Sequence, residues 1–278
     1  MVDSSLLHDR VKKILYSMAG ITLTENKDIM IANRLDKLIR NTGFRGNIDD
    51  LLNEIEHHGK FTTEFINTFT TNKTHFFRED FHFIDLRDRV LPEFSQSNRE
   101  IKIYCSASST GEEPYSIAMT VKECDFNMKA SILATDIDTE VLQYAANGVY
   151  RFQKSSKEFP EWIKPQKYFK RRIQKSVLGD EIFIKINDDI KKMVTFGQMN
   201  LNDEMYPFDD EAFDVVFCRN VLIYFSLEDQ NKILKKLFRT LKIGGTLYLG
   251  HSESPQDLIN YAQRVGQNIF VKQRNIES

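Results

Sequence analysis

Hydrophobic spacing changes character near residue 100, and that change constrains the fold more than any other feature of the chain. Before it, apolar residues recur at three- and four-residue steps. Leu6, Leu7, Val11, Ile14, Leu15 and Met18 form one set; Ile31, Leu35, Leu38 and Ile39 form a second. Ile48, Leu51, Leu52 and Ile55 follow, then Phe61, Phe65, Ile66 and Phe69. Each set is one face of a helix. Thr24 is a candidate cap for the second helix, and Gly43 lies just past its end. A further helix is expected from about Glu79 to Phe94, stopping near Ser95-Gln96-Ser97-Asn98. No segment before residue 100 reads as a strong strand.

Beyond residue 100, short β-prone runs alternate with helical ones. Strands are expected at 101–105, 131–135, 194–196, 213–217, 246–250 and 268–272. Helices are expected at Glu112–Glu123, Thr139–Ala146 with Asp138 as cap, and about Leu227–Leu241, with Gly244-Gly245 as the following turn. Such alternation requires crossovers and a parallel sheet covered on both faces. The expected class is α/β: a mostly parallel, Rossmann-like sheet with a small β insertion, preceded by an all-helical N-terminal domain. Residues 1–95 are assigned to the helical domain and its linker, and 96–278 to the α/β domain.

The insertion, at about 150–195, interrupts the alternation. Glu181–Ile186 reads as a strand there, after a turn at Gly179-Asp180. The same stretch stands out in charge. The chain carries a net charge of −2. Residues 150–195 hold 12 Lys/Arg against 6 Asp/Glu, and the remainder 26 against 34. A solvated ribbon is the ordinary meaning of a charge run. A docking surface for an acidic partner is the sharper one, with Lys170, Arg171, Arg172 and Lys175 as candidate docking residues.

Several function classes are disfavoured. A pI near 6.3 and no recognisable nucleic-acid motif argue against a nucleic-acid enzyme. The apolar runs fall far short of the roughly 20 residues that span a bilayer, so membrane insertion is not expected. Met1-Val2-Asp3-Ser4-Ser5 lacks the basic start of a secretory leader. Three cysteines without CxxC spacing suit a reducing cytosol and argue against a zinc site. His57-His58 has no further ligand spacing, so no metal is expected.

In an open parallel sheet, ligands sit beyond the carboxyl ends of the strands. After the first strand comes Ser106-Ala107-Ser108-Ser109-Thr110-Gly111-Glu112-Glu113-Pro114-Tyr115-Ser116. Its small residues allow close backbone approach. It lacks both the GxGxxG fingerprint and the phosphate loop. Two carboxylates opening a helix compete with a pyrophosphate for the positive helix end. Asp136 ends the second strand, where a carboxylate can accept both hydroxyls of a ribose. Together these residues favour a cationic nucleoside without phosphate, and S-adenosylmethionine fits.

The chain resembles the chemotaxis receptor methyltransferases, the CheR family. The resemblance rests on five blocks in order: Thr71-Asn72-Lys73-Thr74-His75-Phe76-Phe77-Arg78, the loop from Ser109 to Ser116, Ala134-Thr135-Asp136-Ile137-Asp138, the run from Phe217 to Phe225, and Gly250-His251-Ser252-Glu253-Ser254. It implies transfer of the S-adenosylmethionine methyl to glutamate side chains on the cytoplasmic domains of chemoreceptors, for sensory adaptation, by a cytoplasmic enzyme recruited to receptor arrays. It implies cofactor contacts from Asn72, Thr74, Arg78, Glu112 (the methionine amino end), Asp136 (the ribose), Asn200, Leu201, Arg219 and Asn220. Arg78 and Tyr224 are candidate substrate-pocket residues. A glutamate is already ionised at pH 7, so no general base and no indispensable catalytic histidine is expected.

Overall fold

The computed structural model describes residues 4–23, 27–96, 99–124, 129–152, 159–175 and 181–276. The Thr24 cap and the Gly179-Asp180 turn lie outside them. Four helices come first: α1 (Ser4–Ala19), α2 (Asp28–Thr42), α3 (Ile48–Glu56) and α4 (Thr62–Phe69). Each buries most of the apolar stripe read from its spacing; Leu6, at the first turn of α1, is instead 66% exposed. Val11, Ile14, Leu15, Ile31, Leu35, Leu38, Leu51, Leu52, Ile55, Phe65 and Phe69 make one core. Asn47 caps α3 by accepting from Asp50 N at 2.8 Å. Gly43 ends α2 with φ 64°, a left-handed turn that only glycine adopts freely.

Helical chain resumes at α5 (Phe81–Asp85), passes through a π segment at Leu86–Val90, and ends in α6 (Leu91–Ser95). These elements do not join the first core. Phe83, Leu86, Val90 and Leu91 pack with Phe76 and Phe77 against the large sheet. The expected boundary near residue 95 therefore falls after elements that already pack on the α/β domain.

The large sheet has seven strands in the order β6-β2-β1-β7-β8-β10-β9. They are β1 (Ile101–Cys105), β2 (Ala130–Asp136), β6 (Val194–Gln198), β7 (Phe213–Cys218), β8 (Leu241–Leu249), β9 (Ala262–Gly266) and β10 (Ile269–Lys272). The first five are parallel. The last two close the edge antiparallel. Helices α7 (Glu112–Glu123), α8 (Thr139–Asn147), the short α9 (Asp188–Lys191) and α10 (Leu227–Thr240) accompany it. Every residue of β7 is buried, as a central strand covered on both faces requires. A second sheet, β3 (Val149–Phe152), β5 (Glu181–Ile186) and β4 (Phe169–Gln174), has the order β3-β5-β4 and is antiparallel.

Two details depart from the sequence reading. Gly244-Gly245 does not separate α10 from β8. Phe213 pairs with Leu241 and Val215 with Thr246, so the glycines bulge within one strand. Strands β3, β4 and β9 lie outside the strands read from the sequence; β4 and β9 carry little apolar alternation. Among the described residues, no helix is long and apolar enough to cross a membrane.

Candidate active site

Strand order reverses beside β1: β2 lies on one side and β7 on the other. At the carboxyl ends of these strands opens a cavity of about 330 Å³, within the range of small-molecule sites. Ser106, Ala107 and Ser109 line it from beyond β1, Asp136 and Ile137 from β2, Met199, Asn200 and Leu201 from beyond β6, and Arg219, Asn220 and Tyr224 from beyond β7. The linker supplies Asn72, Thr74 and Arg78. Of the residues singled out in the sequence, these nine are brought together: Asn72, Thr74, Arg78, Asp136, Asn200, Leu201, Arg219, Asn220 and Tyr224.

Glu112 is not among them. Its carboxylate accepts from Thr110 Oγ1 at 2.6 Å, whereas its neighbour Glu113 faces the cavity. Adjacent residues at a helix start point about 100° apart, so only one of the pair can turn toward the strand ends. Gly111, at φ 95°, sets that phase, and a Cβ there would lie 2.7 Å from Ala145 Cβ. Glu113 Oε2 receives Arg219 Nη1 at 2.5 Å, and Glu113 Oε1 receives the Cys105 thiol at 3.1 Å.

Asp136 is held by backbone. Ser109 N donates to one carboxylate oxygen at 2.8 Å and Asp138 N to the other at 3.0 Å. Burial pushes its pKa up, and those two donors pull against the shift. Asp138 caps α8 by accepting from Glu140 N and Val141 N, while its second oxygen accepts from Thr70 Oγ1 and Asn72 Nδ2, each at 2.7 Å. The interdomain linker is thus pinned to the helix that follows β2.

The helical domain roofs the site. Ala19, Ile21, Thr22 and Leu23 line the cavity, as do Met30 and Arg34 of α2. Thr22 N donates to Tyr224 O at 2.8 Å, and Asn200 Nδ2 donates to Met18 O at 2.8 Å. Tyr16 donates to Asp229 at 3.1 Å. Spacing along the chain carries no signal for this roof, because its partners lie about 200 residues away.

The floor hangs on two carboxylates. Glu253, 7% exposed, accepts from four backbone N–H groups: Gly250 at 2.6 Å, Asn220 at 2.9 Å, and Val221 and Leu222 at 2.8 Å. Gly250 permits this, since a Cβ there would fall 2.7 Å from Asn220 N. Asn220 itself sits at φ 58°, a strained position that asparagine tolerates better than most. Glu79, at φ 55°, accepts from Asn220 Nδ2, Arg219 Nη2 and His251 N. Arg219 also donates to Arg78 O. Arg78 reaches Lys73 O at 2.9 Å.

Lys170, Arg171 and Arg172 stand exposed on β4, an edge strand, and Lys175 is exposed just beyond it. None of the four lines the cavity.

Comparison with known proteins agrees with this architecture. Residues 72–271 match the CheR methyltransferase, SAM binding domain, and residues 8–70 the CheR methyltransferase, all-alpha domain. A chemotaxis protein methyltransferase of Borreliella burgdorferi is 38% identical over 256 residues, covering 88% of this chain and 87% of the relative. One from Escherichia coli is 36% identical, covering 94% and 88%. One from Vibrio parahaemolyticus is 36% identical, covering 92% of each. The chain belongs to the CheR methyltransferase family and is an S-adenosylmethionine-dependent methyltransferase.

Proposed function

We propose that the chain transfers the methyl group of S-adenosylmethionine to glutamate carboxylates on the cytoplasmic domains of chemoreceptors, giving glutamyl methyl esters for sensory adaptation. The observation that carries the reading is the pairing, in one cavity, of the helix-start carboxylate Glu113 and the strand-end carboxylate Asp136 with a floor that holds Arg219 and Asn220. Glu113, in place of Glu112, takes the methionine ammonium. Asp136 takes the ribose hydroxyls with the lone pairs its backbone donors leave. Asn200 and Leu201 flank the adenine. Asn72, Thr74 and Arg78 close the site from the linker, and Arg78 and Tyr224 face the incoming glutamate.

When bound, the cofactor supplies a sulfonium methyl: the S–CH3 bond breaks with its electron pair left on sulfur, and a carboxylate oxygen forms the new O–CH3 bond. No proton moves, so the chain's residues need only align the reactants and keep water out. The roof from α1 and α2 serves both purposes. No histidine lines the cavity among the described residues. The exposed cations of β4 dock the acidic receptor helices, and the enzyme works in the cytoplasm at receptor arrays.

The test is methyl transfer from labelled S-adenosylmethionine to receptor cytoplasmic fragments. Incorporation that mild alkali releases as methanol supports the reading. Cofactor binding without any incorporation contradicts it.

A further inference from the structure

Arg219 is clamped between two carboxylates, and only one of them faces the cavity. Its Nη1 lies 2.5 Å from Glu113 Oε2, and its Nη2 lies 3.2 Å from Glu79 Oε2. The Arg219 side chain has no exposed surface, and those of Glu113 and Glu79 are 12% and 16% exposed. Glu113 and Arg219 line the cavity; Glu79 stands behind them.

The charge count matters. A Glu113–Arg219 pair alone is neutral and gives a cation little reason to bind. Adding Glu79 leaves the trio with one net negative charge. Burial alone would raise the Glu79 pKa, but Arg219 and the hydrogen bonds from Asn220, His251 N and Arg219 hold it below the ordinary carboxylate value. Two other titratable groups touch the trio. His82 Nδ1 is 3.8 Å from Glu79 Oε2, and burial with help from Arg219 lowers its pKa to about 3, so it stays neutral. The Cys105 thiol donates to Glu113 and is pushed well up by burial, so it also stays neutral. Neither changes the charge of the trio; Lys27, Arg34, Lys73, Arg78 and Asp136 also line the cavity, and their contribution is the same with or without Glu79.

We propose that Glu79 is a positioning residue that sets the charge preference of the cofactor site: by neutralising Arg219 from behind, it frees the charge of Glu113 for a cationic ligand and tilts the site toward S-adenosylmethionine over its product. The inference rests on the cofactor reading above. S-adenosylhomocysteine keeps the adenosine and the amino-acid end and differs by one methyl and one positive charge. Specificity is a difference of affinities, and here the difference falls on the sulfonium. A unit charge several ångströms away in a partly buried site is enough to shift that difference about tenfold.

Calorimetric titration of the full chain with each ligand, for the wild type, Glu79→Gln and Glu79→Asp, tests it. Glu79→Gln keeps the shape and removes the charge. It is expected to weaken S-adenosylmethionine about tenfold more than S-adenosylhomocysteine, and Glu79→Asp should keep the wild-type ratio. On the unmodified protein, added salt should weaken the sulfonium ligand more than the thioether. Equal weakening of both ligands in Glu79→Gln, or no salt difference in the wild type, overturns the proposal and leaves Glu79 a structural residue. Failure of the wild type to bind either ligand instead overturns the cofactor reading.

Discussion

Asn72 and Asp138 meet across 66 residues: the Asn72 side-chain amide donates to Asp138 Oδ2 at 2.7 Å while Asp138 Oδ1 caps α8. One carboxylate, 1% exposed, thus fixes both a helix start and the linker that closes the cavity. Asp138→Ala should lose the cap, at about 1 kcal/mol, and leave Thr70 and Asn72 without their acceptor. The expected outcome is a lower Tm together with weaker cofactor binding. A Tm loss with unchanged binding would separate the linker from the site.

Glu113 and Glu112 give a sharp contrast because they are neighbours of the same type. Glu113→Gln should weaken S-adenosylmethionine binding about tenfold or more, as loss of a charge-assisted contact does. Glu112→Gln should change it severalfold less. Equilibrium titration of the two variants reads the difference, and the reverse order would restore Glu112 as the ligand.

The helices and strands at the site were legible in the sequence because they are locally determined. Helix α7 runs from Glu112 to Glu123 and α8 starts after Asp138, as periodicity and capping indicate. Which of Glu112 and Glu113 faces the cavity was not legible, since it depends on the helical phase that Gly111 sets against β1. Strand β4, Phe169-Lys170-Arg171-Arg172-Ile173-Gln174, exposes five of its six residues, so no alternation marks it. Glu79, Glu253 and the α1 roof act through partners far away in the chain, and local pattern is silent on such contacts.

His82 should govern acid stability. It is fully buried among Phe81, Tyr248 and Glu79, and burial lowers its pKa to about 3. An unfolded histidine takes a proton near pH 6.5, so the unfolded state binds more protons below that value. The contribution is fully present above pH 6.5 and is lost as pH falls toward 3, by several kcal/mol in all. Denaturant unfolding across that window should show a steeper acid loss for the wild type than for His82→Phe. Turnover at neutral pH should survive that substitution.

Asp136 sets a different pH dependence. Burial raises its pKa in the folded protein, with backbone donors opposing. Its contribution to stability is therefore largest when protonated and declines as pH rises through the folded value. The proposed ribose recognition runs the other way, because the ionised form is the better acceptor. Cofactor affinity should fall as pH drops, and at a higher pH than an ordinary aspartate would cause. Asp136→Asn should bind weakly and with little pH dependence.

Neutralising Lys170, Arg171, Arg172 and Lys175 together should raise KM for receptor severalfold and flatten its salt dependence. Cofactor affinity should not move, since all four lie outside the cavity. Unchanged receptor kinetics would make this edge an ordinary solvated face.

The most direct measurement is mass spectrometry of a receptor cytoplasmic fragment after incubation with the protein and S-adenosylmethionine. The prediction is a single methyl on specific glutamate side chains, removed by mild alkali and strongly reduced when Glu113→Gln or Asp136→Asn replaces the wild type under limiting cofactor. An alkali-stable methyl on another residue type, or an unmodified receptor despite saturating cofactor binding, would contradict it.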